Sequence, residues 1–105
     1  NVEKVKTYIE THFRKELTRE SLASEVFMNP DYLSKLFKKN TGSSLMDYVT
    51  KVRIERAKEL LERTVLTISE IAIETGYSNT AYFTKMFKKY TNGVTPREYR
   101  KGLGG

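Results

Sequence analysis

A long internal repeat constrains the fold of this sequence more than any other feature. Residues 32–39 read YLSKLFKK, and residues 82–89 read YFTKMFKK. Earlier in each copy Leu22-Ala23 corresponds to Ile71-Ala72, and later Tyr48 corresponds to Tyr99. The spacing between corresponding residues grows from 49 to 51, which indicates two one-residue insertions in loops. Because a solenoid normally needs about three repeats or more, the sequence instead predicts one duplicated unit of helix, short turn and helix.

The hydrophobic periodicity predicts helices throughout. Apolar residues recur at spacings of three and four, and no segment alternates long enough to predict a strand. Residues typical of helix starts precede these runs: Thr18, Asn29-Pro30, Ser44, the capping box Thr67-Ile68-Ser69-Glu70, Asn79 and Thr95-Pro96. Gly42 and Gly76 mark helix ends. We therefore expect an all-α chain of about seven helices, with a loose tail from Gly102.

The repeat also predicts the domain organisation. We expect a first helix-turn-helix subdomain at 1–42, a long linker helix at 43–64 and a second subdomain at 65–105. At 1.5 Å per residue the linker helix would span about 30 Å. The linker helix would therefore hold the two subdomains at a set distance.

The positive charge is concentrated in two blocks. Lys and Arg total 19 against 13 Asp and Glu, for a net charge of +6. Residues 28–53 carry net +3 and residues 77–105 carry net +5, whereas residues 54–76 between them carry net −2. Two basic blocks suggest two contacts with a polyanion, because Lys and Arg supply most of the non-specific affinity for nucleic acid. Ordinary solvated surface charge is the alternative interpretation.

Several functional classes are excluded by composition. The chain has no cysteine, which excludes disulfides, thiolate zinc sites and a thiol nucleophile. The single His12 excludes a histidine metal cluster and a conventional triad. We interpret Glu55, Glu59 and Glu62 as a solvated helix face rather than paired catalytic carboxylates. The sequence therefore predicts no enzyme, no metal and no cofactor.

The absence of long apolar runs bears on location. No segment approaches the roughly 18–20 apolar residues that a membrane span needs, and no signal-peptide pattern opens the chain. We therefore expect a cytoplasmic chain that makes no membrane contact. The chain begins with Asn1 rather than methionine, so we expect a domain taken from a longer protein.

The third and sixth predicted helices each have an apolar and a polar face. At 100° per residue Leu33, Leu36 and Phe37 share one side of the third helix, as do Phe83, Met86, Phe87 and Tyr90 in the sixth. The opposite sides carry Asp31, Ser34, Lys35 and Lys38, and Ala81, Thr84, Lys85 and Lys88. Such faces suit the major groove of DNA, since short side chains permit close approach while lysines reach guanine edges or phosphates. Successive major grooves on one side of a DNA duplex lie about 34 Å apart, and the predicted linker helix is long enough to place the two subdomains on neighbouring grooves.

The sequence resembles the DNA-binding domain of the AraC/XylS family of bacterial transcription regulators from about Val2 to Lys101. The matching residues are Gly76-Tyr77, Tyr82-Phe83, Phe87-Lys88-Lys89, Gly93, Thr95-Pro96, Tyr99-Arg100 and the run from Arg53 to Leu61. This resemblance implies a homeodomain-like domain with two helix-turn-helix units, which binds promoter DNA as a monomer by placing two recognition helices in successive major grooves. It further implies contact with RNA polymerase and a parent protein, of response-regulator type, that dimerises through a domain not present here.

The resemblance also assigns residues to the DNA. The base-reading set is Asp31, Ser34 and Lys35 in the first unit, with Asn79, Thr80, Ala81, Thr84 and Lys85 in the second. The phosphate set is Asn29, Lys38, Lys39, Arg53, Ser78, Lys88 and Lys89. Alternatives stay open for some of them: Asn29, Ser78 and Asn79 as helix caps only, Arg53 as a partner of a linker glutamate, and the lysines as solvated charge.

Three residues depart from the family's pattern. Phe27 stands where a small residue is usual in the first turn, Asn92 adds a residue before Gly93, and Asp31 places a carboxylate near phosphates. Such a carboxylate is costly unless it accepts a hydrogen bond from a cytosine amine. The alternative function is a basic interaction module for an acidic protein or an anionic membrane. It predicts large apolar residues on the outer faces of the third and sixth helices.

Overall fold

The computed structural model describes residues 2–103 and contains seven helices in that range. They are α1 (Val2–His12), α2 (Arg19–Glu25), α3 (Pro30–Thr41), α4 (Leu45–Arg63), α5 (Ile68–Glu74), α6 (Thr80–Lys89) and α7 (Pro96–Leu103). No strand occurs among these residues, so the predicted all-α fold is confirmed. α7 continues through Leu103 and thus past Gly102, where the sequence predicts a loose tail; residues 104 and 105 lie outside the described part.

The chain divides into two compact units, residues 1–52 and residues 53–105. The division falls within α4, so the helix predicted as a linker contributes its first half to unit 1 and its second half to unit 2.

None of the helices in residues 2–103 combines the length and the hydropathy that a membrane crossing requires.

Helix starts are fixed by local capping contacts. In α5 the Glu70 amide donates to Thr67 Oγ1 at 3.1 Å, and the Thr67 amide donates to Glu70 Oε1 at 2.8 Å. The hydrogen bond from the Thr67 backbone holds the pKa of Glu70 below its ordinary value. Thr95 and Glu98 form the same reciprocal pair at the start of α7. Because both partners of each pair lie within four residues, these boundaries follow from the sequence alone.

The turn of each helix-turn-helix, between α2 and α3 in unit 1 and between α5 and α6 in unit 2, contains a residue with positive φ. Gly76 has φ 100° in unit 2, and Phe27 has φ 55° in unit 1. The hydrogen bonds nevertheless correspond: the Met28 amide donates to the Ala23 carbonyl at 3.0 Å, and the Tyr77 amide donates to the Ala72 carbonyl at 2.8 Å. The side chain of Phe27 is 95% exposed. The first turn therefore has the expected geometry despite its bulky residue, at the cost of backbone strain.

Each unit has its own hydrophobic core. The core of unit 1 consists of Val5, Ile9, Leu17, Leu22, Ala23, Leu33, Phe37, Leu45 and Val49. The core of unit 2 consists of Ile54, Ala57, Leu60, Leu61, Ile71, Ala72, Tyr77, Phe83 and Phe87. The predicted apolar stripe is therefore core in both units, since Leu33, Phe37, Phe83 and Phe87 are fully buried.

A tyrosine–glutamate hydrogen bond is repeated in the two units. The Tyr48 hydroxyl donates to Glu10 Oε2 at 2.9 Å, and the Tyr99 hydroxyl donates to Glu62 Oε2 at 2.8 Å. Each tyrosine ring also packs edge-on against a core phenylalanine, Phe37 or Phe87, with centroids 5.4 and 5.6 Å apart. Burial, together with the neighbouring carboxylate, raises the pKa of each tyrosine from 10.0 to about 12.

Because of these two tyrosines, the free energy of unfolding is expected to fall steeply at alkaline pH. The folded state holds each phenolic proton more tightly than the unfolded chain does, so this contribution is complete below pH 10.0 and is lost as the pH rises to about 12. Urea unfolding midpoints across that window measure it. Replacing Tyr99 by phenylalanine should flatten the decline, whereas Tyr32→Phe, at an exposed position on α3, should not. An undiminished decline in Tyr99→Phe would contradict the assignment.

Candidate nucleic-acid interface

The exposed face of α3 carries the residues predicted for the first unit. Leu33 and Phe37 turn to the core, while Asp31 and Lys35 are exposed and Ser34 is half-buried. Lys38 and Lys39 are also exposed at the C-terminal end of α3. The predicted base-reading residues of unit 1 therefore share one solvent-facing surface of the helix.

The exposed face of α6 has the same organisation. Phe83 and Phe87 are buried, whereas Ala81 and Lys85 are exposed and Thr84 is half-buried. The predicted phosphate contacts Lys88 and Lys89 are exposed in the last turn. α6 contains no Asp or Glu, and its three lysines all lie in its second half.

Asparagine caps both of these helices. Asn29 Oδ1 accepts from the amides of Asp31 and Tyr32 at 2.9 and 3.1 Å. Asn79 Oδ1 accepts from the Tyr82 amide at 2.9 Å. Capping is thus confirmed for both asparagines. Ser78 is exposed and precedes the cap of α6. Because the carbonyl oxygen of Asn79 is engaged within the protein, its side-chain amide nitrogen is the group that a base would meet.

Arg53 and Thr80 have partners that the sequence does not indicate. The guanidinium carbon of Arg53 lies 5.4 Å from the centre of the Tyr77 ring, and Arg53 is half-buried. This cation–π contact fixes the side chain on the core of unit 2. The Thr80 hydroxyl donates to Ser69 Oγ at 3.3 Å, which links the first turn of α6 to α5.

The residue of this surface that sequence reasoning missed is Arg19, at the start of α2. Its Nη1 donates to Asp31 Oδ1 at 3.2 Å and to Ser34 Oγ at 3.1 Å. It therefore touches two of the three residues predicted to read bases in unit 1. The repeat contains the only signal that could have revealed it: unit 2 has Ile68 at the position of Arg19 and Ala81 at the position of Asp31.

A cleft of about 630 Å³ lies beside this surface of unit 1. Its lining includes four cationic side chains, two serines and the first two residues of α4: Arg19, Ser34, Lys35, Lys38, Lys39, Ser44, Leu45 and Met46.

Tyr32 and Tyr82, which the sequence assigns to no contact, occupy corresponding exposed positions on α3 and α6, with 61% and 52% exposure. A tyrosine hydroxyl there is suited to donate to a phosphate oxygen.

Comparison with known proteins agrees with this architecture. Residues 22–102 match the family described as Helix-turn-helix domain. The transcriptional regulatory protein YesN of Bacillus subtilis is 52% identical over 82 residues, which cover 76% of this chain and 22% of YesN. The chain spans 22% to 35% of the length of the first curated relatives that it matches.

Solved structures show the same relationship. The C-terminal domain of AraT, a response regulator from Geobacillus stearothermophilus, is 41% identical with a TM-score of 0.93, over 96% of this chain and 84% of that one. A Chromobacterium violaceum transcriptional regulator, described as containing an AraC-type DNA-binding domain, is 26% identical with a TM-score of 0.89, over 97% and 90% of the two chains. The chain has two helix-turn-helix units, and α3 and α6 carry lysines on their outer faces. It belongs to the AraC-type helix-turn-helix family of DNA-binding transcription regulators.

Proposed function

We propose that this chain binds double-stranded promoter DNA sequence-specifically, with α3 and α6 as recognition helices in successive major grooves. The observation that carries the proposal is the repetition of one arrangement in both units. In each, a short helix packs behind a second helix whose inner face is core and whose outer face holds short polar side chains and lysines. This is the arrangement by which a helix-turn-helix presents side chains to base edges.

The outer face of α6 supplies the chemistry for reading bases. Lys85 is exposed and can donate to guanine O6 and N7, the acceptors of the major groove. The Thr84 hydroxyl can donate to an acceptor or accept from a donor on a base edge. The methyl group of Ala81 can contact the methyl group of thymine. Asn79 and Thr80, in the first turn, complete the proposed base-reading set of unit 2.

Phosphate contacts flank the base-reading residues in the proposal. Lys38, Lys39, Lys88 and Lys89 lie in the last turns of α3 and α6. Asn29 and Ser78 precede the helices. Because Asn29 Oδ1 already accepts from the Asp31 and Tyr32 amides, Asn29 is proposed to reach phosphate through its side-chain amide nitrogen, and Ser78 through its hydroxyl. Arg53, which is held against Tyr77, contributes its positive charge within unit 2. These contacts set the position of each unit and its salt dependence rather than its sequence preference.

The parent protein is proposed to act in the cytoplasm as a regulator of bacterial promoters. The response-regulator relatives support a parent of that type, in which this domain binds DNA as a monomer and another domain provides dimerisation. Contact with RNA polymerase is a further part of this proposal. The alternative, a basic interaction module for an acidic protein or an anionic membrane, predicts large apolar residues on the outer faces of α3 and α6. It is weaker, because most outward positions of these helices are polar or cationic.

Replacing Lys85 by alanine is expected to weaken binding to the preferred duplex by about 1–3 kcal/mol, since a base contact is lost. Binding to random duplexes should change much less. Lys88→Ala is the matched control, because it removes the same charge from the same helix at a proposed phosphate contact. It should lower the slope of log K against log salt by about one unit for every sequence. Fluorescence anisotropy with both duplexes measures these effects; equal losses for Lys85→Ala on the two would contradict base reading.

A further inference from the structure

The contact between Arg19 and Asp31 joins the two helices of unit 1 on the proposed DNA face. One guanidinium nitrogen reaches both Asp31 Oδ1 and Ser34 Oγ, at 3.2 and 3.1 Å. The side chains of Arg19 and Asp31 are 41% and 77% exposed. Ion pairs with this exposure contribute little to folding stability. A contribution to the stability of unit 1 therefore does not explain why the pair is present.

The charge of Asp31 makes the pair informative. A carboxylate on a recognition helix is repelled by the phosphates on both sides of the groove, and it is useful there only as an acceptor from a base amine. Arg19 places a positive charge within hydrogen-bond distance of that carboxylate, and Asp31 Oδ1 is the atom that it holds. Glu20 Oε2 also lies 3.9 Å from Arg19 Nη2, but the hydrogen bonds of Arg19 Nη1 go to Asp31 and Ser34. The Arg19–Asp31 pair by itself carries no net charge.

The internal repeat provides a comparison within the same chain. At the corresponding positions unit 2 has Ile68 in place of Arg19 and Ala81 in place of Asp31. Both members of the pair are thus present in unit 1 and both are absent from unit 2. A unit whose recognition helix lacks the carboxylate also lacks the arginine, which is the pattern expected if the arginine serves the carboxylate.

We propose that Arg19 is a positioning residue through which Asp31 reads a cytosine amine in the major groove. The inference rests on the proposed function, since it requires α3 to lie in that groove. Arg19 fixes the orientation of Asp31 and compensates its charge, leaving the second carboxylate oxygen to accept from cytosine N4. It gives unit 1 a preference that unit 2, with Ala81, is unable to share.

The test measures base preference one position at a time. The preferred duplex is first selected with the unaltered chain, and each of its base pairs is then varied in competition binding. Arg19→Ala is expected to reduce the preference for cytosine at one base pair of the first half-site by about tenfold. Asp31→Asn is expected to move the preference at that same base pair toward adenine, because asparagine pairs with adenine N6 and N7. Asp31→Ala is expected to abolish the cytosine preference at that base pair, and the double variant Arg19→Ala, Asp31→Ala should lose no more of this preference than Asp31→Ala alone.

Two further variants separate positioning from charge and folding. Lys4→Ala removes one positive charge from an exposed position on α1 and should leave every base preference intact. Arg19→Lys keeps the charge and should restore part of the cytosine preference, so it tests the inference even if Arg19→Ala fails to fold.

The outcomes distinguish the inference from the function on which it rests. If the unaltered chain shows no base preference at any position, the proposed function itself fails. If it prefers a defined site but Arg19→Ala weakens all duplexes equally and Asp31→Asn leaves the preference unchanged, Arg19 is only a phosphate contact and the inference is overturned.

Discussion

Replacement of Phe87 by alanine is expected to lower the free energy of unfolding of unit 2 by about 3–5 kcal/mol, the largest effect of any substitution considered. Phe87 is fully buried in α6, and its ring lies 5.9 Å from Phe83 and 5.6 Å from Tyr99 between centroids. Removing it deletes contacts with two aromatic neighbours and leaves a cavity that the core fills only in part. Because small domains have total stabilities of about 5–15 kcal/mol, such a loss is enough to unfold a marginal unit.

Hydrogen exchange resolved by residue is the appropriate measurement, since the chain has two compact units with separate cores. Protection should fall throughout residues 53–103. Tyr82→Ala is the control, because it removes another aromatic side chain from α6 that is 52% exposed. Retention of native protection in unit 2 of Phe87→Ala would show that the aromatic stripe is not the core.

Replacement of Arg100 by alanine is expected to destabilise unit 2 by about 2–3 kcal/mol, because hydrogen bonds from a charged group to part-buried acceptors are lost. The guanidinium lies on the carbonyl groups around the end of α4. It donates to the carbonyls of Leu61, Leu66 and Thr64 at 3.2, 2.6 and 3.2 Å, with Leu60 at 3.5 Å. Leu61 lies in the last turn of α4, where a helix end leaves carbonyls without intrahelical partners, and Thr64 and Leu66 follow the helix. A cation there also interacts favourably with the negative end of the helix dipole.

Arg97→Ala is the matched control for Arg100, since Arg97 is exposed on the same helix and its loss changes the net charge equally. Arg97→Ala should change the urea midpoint little, and Arg100→Lys should recover only part of the loss, because an ammonium group does not span several carbonyls as a planar guanidinium does. Similar midpoints for the two alanine variants would refute a structural role for Arg100.

Short-range chemistry explains why the helices could be predicted. Thr67 with Glu70, and Asn29 with Pro30, define helix starts through contacts within a few residues, and the structure places α5 and α3 there. The buried face of α6 follows in the same way from the three- and four-residue spacing of its apolar side chains. Phe27 was the difficult position, because a bulky residue with positive φ contradicts the usual preference. The hydrogen bonds of the turn decide the backbone there, as they do at Gly76.

The contacts that sequence analysis missed join residues far apart in the chain. Arg19 meets Asp31 across 12 positions, Tyr48 meets Glu10 across 38, and Arg100 reaches Leu66 across 34. Pattern analysis assigns each of these residues to an exposed or buried face, but the partner depends on how helices pack. For this reason the face of α3 could be predicted from the sequence while its connection to α2 through Arg19 could not.

The spacing of the two contacts on DNA tests the central claim most directly. A duplex selected from a random pool should contain two preferred patches about 10 base pairs apart, one read by each unit. Inserting about five base pairs between the patches turns the second to the opposite side of the duplex, so affinity should fall to that of a single patch. A single preferred patch, or an affinity that the insertion leaves unchanged, would contradict the proposal that α3 and α6 occupy successive major grooves.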